Sequence, residues 1–492
     1  MIRSRELPPS VNKAFRIAAT ALLAGAAVAL GAVLGQLLTS PDYSMVVTAV
    51  GVAFCLGLVL VDPKLGMLLW VVISPYARFV PLDIAMGHGI PDLKLSRMIT
   101  LVLLALWAAQ VAVRRRKVAR VYWSDVFLTL FTILTLVSYV GGPIPFRTAI
   151  QSFWDTWLVP AMAYLLARQL FHSERDMSRI GIVLSIVGLY LGLLAAHEQL
   201  TGVILFYPEN RSIFYSANIR RVVNLLGNPA FIAACLVMAA PFSARGMIQS
   251  RTRGRRLIWL GVLVAITVGT FMCYNRAGWL ALVVGLLVMV PFYPNFRRFL
   301  LPVMLITGIV LLMTWGIVSS SPAIRERLQA TGPIEYRVSA YTTLFKMIKS
   351  DPITGVGQGN YEKYYNLFAY GVAYQYFDPN NVRVVAAPHN SWLYITVNGG
   401  LMSLLPYLGF LLSSLWLTIR FYRGVKWRVM PVRSLIIATW GAFAAYLIPA
   451  MVGDTITAPF VSVLFYLILG GVQGWILDEG QIYLVEEEEV QR

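Results

Sequence analysis

Apolar runs close to 20 residues long recur from one end of this chain to the other. A helix of about that length crosses the ~30 Å hydrocarbon core of a bilayer. Lipid offers the peptide group no hydrogen-bond partner, so a spanning segment must be a helix or part of a closed barrel, and these runs are too long for barrel strands. The expected fold class is therefore all-α, a polytopic helical membrane protein. By length, spans fall at about 17–38, 45–61, 65–80, 96–113, 124–140, 149–170, 180–199, 229–244, 257–274, 277–293, 299–318, 390–419, 434–450 and 456–477, about fourteen in all. The run 65–80 contains Pro75 and Arg78, and the last pair is interrupted by Pro449 and Asp454. Only 13% of the 492 residues are charged, against about 25% in soluble proteins.

The formal charge of +18 has two readings. Nucleic acid is one, but no helix-turn-helix, zinc finger or soluble basic domain supports it, and no nucleic-acid partner is expected. The other is the positive-inside rule. Arg114-Arg115-Arg116-Lys117, the cluster Arg245 to Arg256, Arg297-Arg298 and the stretch Arg420 to Arg433 all fall on one side of the span pattern, with the basic N-terminus and the 168–179 turn. That side is cytoplasmic by the rule, and it holds both termini and the acidic tail Glu486-Glu487-Glu488-Glu489. The first apolar run follows Arg3, Arg5, Lys13 and Arg16 and reads as a retained signal anchor, although its Ala-rich end imitates a cleavage site. Cys55, Cys235 and Cys273 lie in apolar runs and make no disulfide or zinc pattern.

The exceptions to the charge rule are informative. Arg78, Arg147, Arg211, Arg220, Arg221, Arg276, Arg337 and Arg383 fall on the outer side. Outer acids such as Glu198, Glu209 and Glu335, or lipid headgroups, would account for single members of that set. The planar guanidinium fork also grips phosphate oxygens in pairs. Arg276 is the most constrained. It sits in Tyr274-Asn275-Arg276-Ala277-Gly278-Trp279, a link with almost no loop. A charge held at that depth costs at least ~2.5 kcal/mol, and an intramembrane ionisable group is a functional hypothesis by default.

The outer loop 200–228 carries Arg220-Arg221 and then Gly227-Asn228-Pro229, where Asn-Pro sets the entry of the next span. A larger outer segment, about 320–388, lies between the eleventh and twelfth spans. Within 335–349, Val338, Tyr341, Phe345 and Ile348 recur at helical spacing, which predicts an amphipathic helix lying on the outer surface. Asp351-Pro352-Ile353-Thr354-Gly355-Val356-Gly357-Gln358-Gly359-Asn360 then makes a turn. Its glycine spacing suggests a dinucleotide site only weakly, because no strand precedes it. Tyr361, Tyr364, Tyr365, Tyr370, Tyr374 and Tyr376 suit either sugar stacking or an interfacial aromatic belt.

The chemistry available is limited. His88, His172, His197 and His389 are scattered, so no metal site is expected. No Walker loop is present. His172 and His197 read as structural, and His88, in an outer loop with Asp83 and Asp92, is open. His389 differs. It follows Pro388, precedes Asn390 and opens a helix on the side of the stray arginines. An imidazole there suits proton abstraction from a hydroxyl near neutral pH, and neighbouring guanidinium groups favour its neutral form. A base beside arginines suits attack of a sugar hydroxyl on a sugar carbon bearing a pyrophosphate, whose departing charge the arginines absorb.

Arg221 with Gly227-Asn228-Pro229, Asn275-Arg276-Ala277-Gly278-Trp279, Arg337 followed by Asp351-Pro352-Ile353-Thr354-Gly355-Val356-Gly357, and His389-Asn390-Ser391-Trp392-Leu393 together resemble the O-antigen ligase and O-antigen polymerase superfamily over roughly 200–410. The family's usual Ser before the arginine is Asn275 here. The resemblance implies a metal-independent, inverting glycosyltransferase of the bacterial inner membrane, without cofactor, working on the periplasmic face. Its donor would be a glycan on undecaprenyl diphosphate, and its acceptor another glycan or a lipid A core. By the same resemblance His389 is the acceptor-activating base, Arg276 and Arg221 bind the diphosphate, and Arg337 sits in the lid region. Arg220 is a neighbour able to exchange with Arg221.

The chain then divides into an N-terminal transmembrane bundle (1–199), the ligase- or polymerase-like region (200–410) and C-terminal spans with the acidic tail (411–492). Polymerase is slightly preferred to ligase, and a protein-glycosylating relative is a further variant. A flippase or transporter is the competing class, with Asp155 between Trp154 and Trp157 as its best feature. Transporters show internal repeats, and none is visible here. A scaffold without catalysis leaves Arg276 and His389 together unexplained.

Overall fold

A computed structural model describes residues 57, 59–79, 94–114, 116–140, 142–205, 214–216, 219–220, 222–293, 332–368, 388–425 and 430–483. The chain falls into two units, one of residues 1–86 and 92–113, the other of 87–91 and 114–492. The described part is helical apart from one short hairpin, and it is an all-α membrane protein. Among the described residues six helices are long and apolar enough to cross a bilayer, and three shorter helices are apolar as well. The spans expected at 17–38 and 299–318, and most of 45–61, lie outside the described residues.

In the first unit, α1 (Pro63–Ile73) is started by Asp62, whose Oδ1 accepts from Lys64 N at 2.9 Å, with Pro63 at the first helical position. Pro75 then turns the chain into a 3-10 segment, Ser74–Phe79, and α2 spans Leu95–Ala112.

The second unit carries the remaining elements. It begins with α3 (Trp123–Val137). The span expected at 149–170 is a composite of α4 (Phe146–Phe153), a π turn (Trp154–Leu158) and α5 (Val159–Leu170). Pro160 supplies no N–H, so the ladder cannot continue regularly through Thr156, and the wider turn absorbs the defect. Next come α6 (Glu174–Thr201), the hairpin β1 (Phe214–Ser216) and β2 (Ile219–Arg220), α7 (Pro229–Gln249), α8 (Arg253–Met272) and α9 (Arg276–Leu287). The outer segment contributes α10 (Gly332–Ser350) and α11 (Tyr361–Phe368), and α12 (Ser391–Gly424), α13 (Met430–Val452) and α14 (Pro459–Leu477) complete the unit.

Two devices hold these helices. The first is close approach through small residues, the usual means where lipid removes the hydrophobic drive between helices. A Cβ on Gly269 of α8 would collide with the backbone of Gly192 on α6. The second is a buried polar lock at the arginine-rich end. Arg168 of α5 contacts Asp125 of α3 at 2.6 Å. The Tyr164 hydroxyl lies 2.7 Å from Asp125 Oδ1 and 2.9 Å from Oε1 of Gln473 on α14, and Gln473 donates to Ser414 of α12 at 2.8 Å. Four helices share this network, so removing one partner strands the others in a dry interior.

The amphipathic helix expected at 335–349 exists as α10, but its buried stripe is displaced. Ala340, Thr343, Leu344 and Met347 are inside, whereas Val338 and Phe345 are exposed. The tyrosines likewise take a third role. Tyr361 and Tyr365 are buried, with ring centroids 5.6 Å apart, in a core formed with Leu344, Met347 and Val397. They pack α11 and α10 against α12. Tyr370, Tyr374 and Tyr376 lie outside the described residues.

The glycine turn of 351–360 has a structural purpose. α12 breaks at Gly400 (φ 62, ψ −165). Across the break, Leu401 N donates to Pro352 O at 2.9 Å and Met402 N to Ile353 O at 3.1 Å. In return Val356 N donates to Val397 O at 2.8 Å and Gly357 N to Asn398 O at 3.0 Å. The turn thus replaces the helix's own missing ladder, and the backbones meet too closely for any side chain at Gly400.

Candidate active site

Successive helices of the second unit alternate in direction. The ends of α6, α8 and α13 and the starts of α7, α9, α12 and α14 therefore gather opposite the arginine-rich turns. His389 lies here, immediately before α12. Its φ of 48 is left-handed, a strained setting for a residue with a Cβ. Asn390 explains why the chain stops and starts there. Its Oδ1 caps α12 by accepting from Trp392 N at 3.0 Å and Leu393 N at 3.1 Å, while its Nδ2 donates to Met451 O at 2.9 Å. Ser391 Oγ donates to Gly453 O at 2.9 Å. Tyr341 of α10 donates to the His389 carbonyl at 3.2 Å. The strained backbone is thereby held from α10, α12 and the link after α13.

That link supplies a residue whose part in the site the sequence conceals, since it reads there only as an interruption. Asp454 accepts from Asn390 N at 3.2 Å, and its Oδ2 lies 3.8 Å from His389 Nδ1. The separation is longer than a hydrogen bond, but it fixes which edge of the ring faces the acid. Nε2 is then on the edge of the ring turned away from the acid. Burial pushes the Asp454 carboxyl up to about 6, against the backbone N–H groups of His389 and Asn390 and the charge of Arg337, which hold it down. Arg337 of α10 is therefore within electrostatic reach of the same carboxylate. The legible signal is an acid flanked by Gly453 and Thr455 between two apolar runs, a position where a solvated loop is too short to explain it.

Arg276 stands at the first position of α9, behind Asn275, whose Oδ1 accepts from Gly278 N at 2.9 Å. Ser and Asn serve equally at a helix N-cap, which accounts for Asn275 in place of the family's Ser. Tyr274, with φ 47, makes the tight turn from α8. α9 runs beside α13, where Ala281 packs with Ala445 and Ile448. Continuing along both helices brings Arg276 to the end at which Asp454 follows α13. Arg276 is exposed, and among the described residues no ion pair joins it to Asp454.

Arg221 lies outside the described residues, and Arg220 is described by its backbone, opposite Phe214 in the hairpin. The stretch just beyond them is well fixed. Glu198, buried near the end of α6, accepts from Val223 N and Asn224 N at 2.9 Å each. It is also within electrostatic reach of Cys273, one residue before the turn that leads to Arg276. Glu198, expected as a partner for outer arginines, thus also clamps backbone. Asn228 caps α7 through Ala230 N at 2.9 Å, as Asn-Pro predicts. Glu198 therefore holds the backbone at Val223 and Asn224 and lies within electrostatic reach of Cys273. His172 is tied to Asp478 and the Gln169 carbonyl at the opposite end, in keeping with a structural role. His88 lies outside the described residues. Among the described residues no three His, Cys, Asp or Glu side chains gather as metal ligands.

Fold and site together define a polytopic helical membrane protein with a histidine–carboxylate pair and arginines at one end of its bundle. Residues 261–408 match the family described as O-antigen ligase. The matched stretch contains Arg276, Arg337, the 351–360 turn and His389, while Arg220-Arg221 precede it and Asp454 follows it. No curated protein matches the chain.

Proposed function

We propose that this chain is a glycosyltransferase of the bacterial inner membrane that takes a glycan from an undecaprenyl-diphosphate donor on the periplasmic face. The observation that carries the reading is the His389–Asp454 pair, built at the strained start of the helix on which the family-matched 351–360 turn is spliced, with Arg337 within electrostatic reach of the carboxylate. In the reaction, Nε2 of His389 receives the proton of an acceptor hydroxyl. The hydroxyl oxygen bonds to the anomeric carbon of the donor sugar. The bond from that carbon to the diphosphate oxygen breaks, and the electron pair leaves with undecaprenyl diphosphate. A single in-line displacement inverts the anomeric centre.

Asp454 stabilises the imidazolium that forms and holds the ring's orientation, in the manner of an orienting acid behind a catalytic histidine. Arg276 binds the departing diphosphate with Arg221, for which Arg220 can exchange, and Arg337 closes the site from α10. Arginines absorbing that charge remove the need for a metal or a general acid. Both termini lie in the cytoplasm in this topology.

Two acceptors are in play. Polymerisation of an exopolysaccharide or O-antigen uses a second lipid-linked glycan. Ligation uses a lipid A core. Purified protein incubated with a defined lipid-linked repeat unit, with and without lipid A core, separates them by product size. Transfer that persists undiminished in His389→Ala rules the mechanism out.

A further inference from the structure

At the end of the bundle opposite His389, α6, α7, α8 and the α7–α8 link line an open cavity of about 270 Å³. That is small beside the ~300–1,000 Å³ of sites for drug-sized ligands. Its walls divide by chemistry. Arg245, Arg251 and Arg255 bring three guanidinium groups, Gln249 adds an amide, and the indole of Trp259 lies on Gly246 so closely that a Cβ there would collide with it. Arg245 is fixed in place: its Nε donates to Ser434 Oγ at 2.8 Å and its Nη2 reaches Pro431 O at 3.5 Å. Gln249 donates to the same Ser434 hydroxyl. Glu174 is the acid within electrostatic reach of Arg245. Arg251 and Arg255 are exposed, and neither side chain forms an ion pair among the described residues. The positive-inside rule explains arginines at this end but not their convergence on one concave, partly apolar site.

We infer that this cavity binds the phosphate of an anionic phospholipid, a glycerophosphate headgroup, with its acyl chains lying along α6 and α8. Basic pockets between membrane helices at the cytoplasmic surface suit such headgroups, and Arg forks match the phosphate oxygens. The lipid is favoured over free phosphate by the flanks, because Ile182 of α6, in the cavity wall, is an exposed apolar side chain, and Leu257 and Ile258, between the lining residues Arg255 and Trp259 in sequence, are exposed and apolar too. A bound headgroup would bridge α7, tied through Ser434 to α13, with the start of α8.

The test uses the full-length protein in neutral detergent. Native mass spectrometry measures binding of phosphatidylglycerol, of phosphatidylcholine with the same acyl chains, and of inorganic phosphate. Phosphatidylglycerol should bind at least tenfold more tightly than phosphatidylcholine. The double variant R251Q/R255Q should lose that preference while its lipid-free unfolding midpoint stays at the parent value, since neither side chain forms an ion pair among the described residues. A control pair at the same end but outside the cavity, R420Q/R423Q, should keep it. Equal losses in both pairs, or no preference in the parent, overturn the site. Inorganic phosphate that binds as tightly and displaces the lipid overturns the lipid assignment.

Discussion

Asp454→Asn should make the protein more stable and nearly inactive, with the stability gain appearing only above a defined pH. Burial lifts this carboxyl from 3.8 to about 6. At about 1.4 kcal/mol per pH unit, the ionised acid costs the fold about 3 kcal/mol. The direction follows from linkage. Below pH 3.8 the acid is protonated whether the chain is folded or not, and its full contribution is present. As pH rises through 6 the folded acid is forced to ionise against its surroundings, and that contribution is lost. An amide of the same shape never ionises. It has one acceptor oxygen for the two backbone donors of His389 and Asn390, which withholds about 1 kcal/mol. The net effect is then a gain of about 2 kcal/mol at pH 8 and a loss of up to about 1 kcal/mol at pH 4. Thermal unfolding of the purified parent and variant across that range measures it, and glycan transfer in the same samples should fall by about 100-fold or more. A difference in midpoint that does not change with pH, or a variant with parental activity, refutes the account of this residue.

His389→Ala and Arg276→Ala should abolish transfer while the protein still inserts and purifies normally, as size-exclusion profiles and product gels will record. Parent activity should decline as pH drops through about 6, because Asp454 then loses its charge, and a rate profile between pH 5 and 8 gives the midpoint. Glu198→Gln leaves one acceptor oxygen for Val223 N and Asn224 N. It should raise the KM for the lipid-linked donor severalfold with a smaller change in kcat, whereas a merely global defect would lower the amount of folded protein instead. Gly400→Ala should lower the unfolding midpoint by the equivalent of about 1–3 kcal/mol or more, from a backbone conformation open essentially to glycine alone. EDTA should leave transfer unchanged, and a loss restored by a divalent ion would contradict the arginine-based chemistry.

Much of the fold is legible along the chain because apolar length and helix caps are local. Asn228-Pro229 and Asn275 announce helix starts, and α7 and α9 begin there. His389-Asn390 likewise marks the mouth of α12. Spacing misleads where partners are distant in sequence. It assigns one stripe to α10, but the buried face is chosen by α11 and α12, which turns Val338 and Phe345 outward. Tyr361 and Tyr365 read as surface aromatics because nothing nearby in the chain shows that Val397 covers them. Asp454 is separated from His389 by two helices, so no short window along the chain contains both. The π turn is a consequence of Pro160 inside an otherwise uninterrupted apolar run, which length alone reads as one straight span.

The splice at Gly400 is made by peptide groups, not side chains. Its pitch is therefore set by the backbones of Pro352, Ile353, Val356 and Gly357, provided glycine remains where the two backbones touch, while the side chains of Val356 and Val397 serve the core around Tyr361 and Tyr365 instead. A lineage adapting to a new acceptor can rewrite the surface of the outer segment freely and still deliver His389 at an unchanged angle, as a tool holder accepts different bits through one fixed collar.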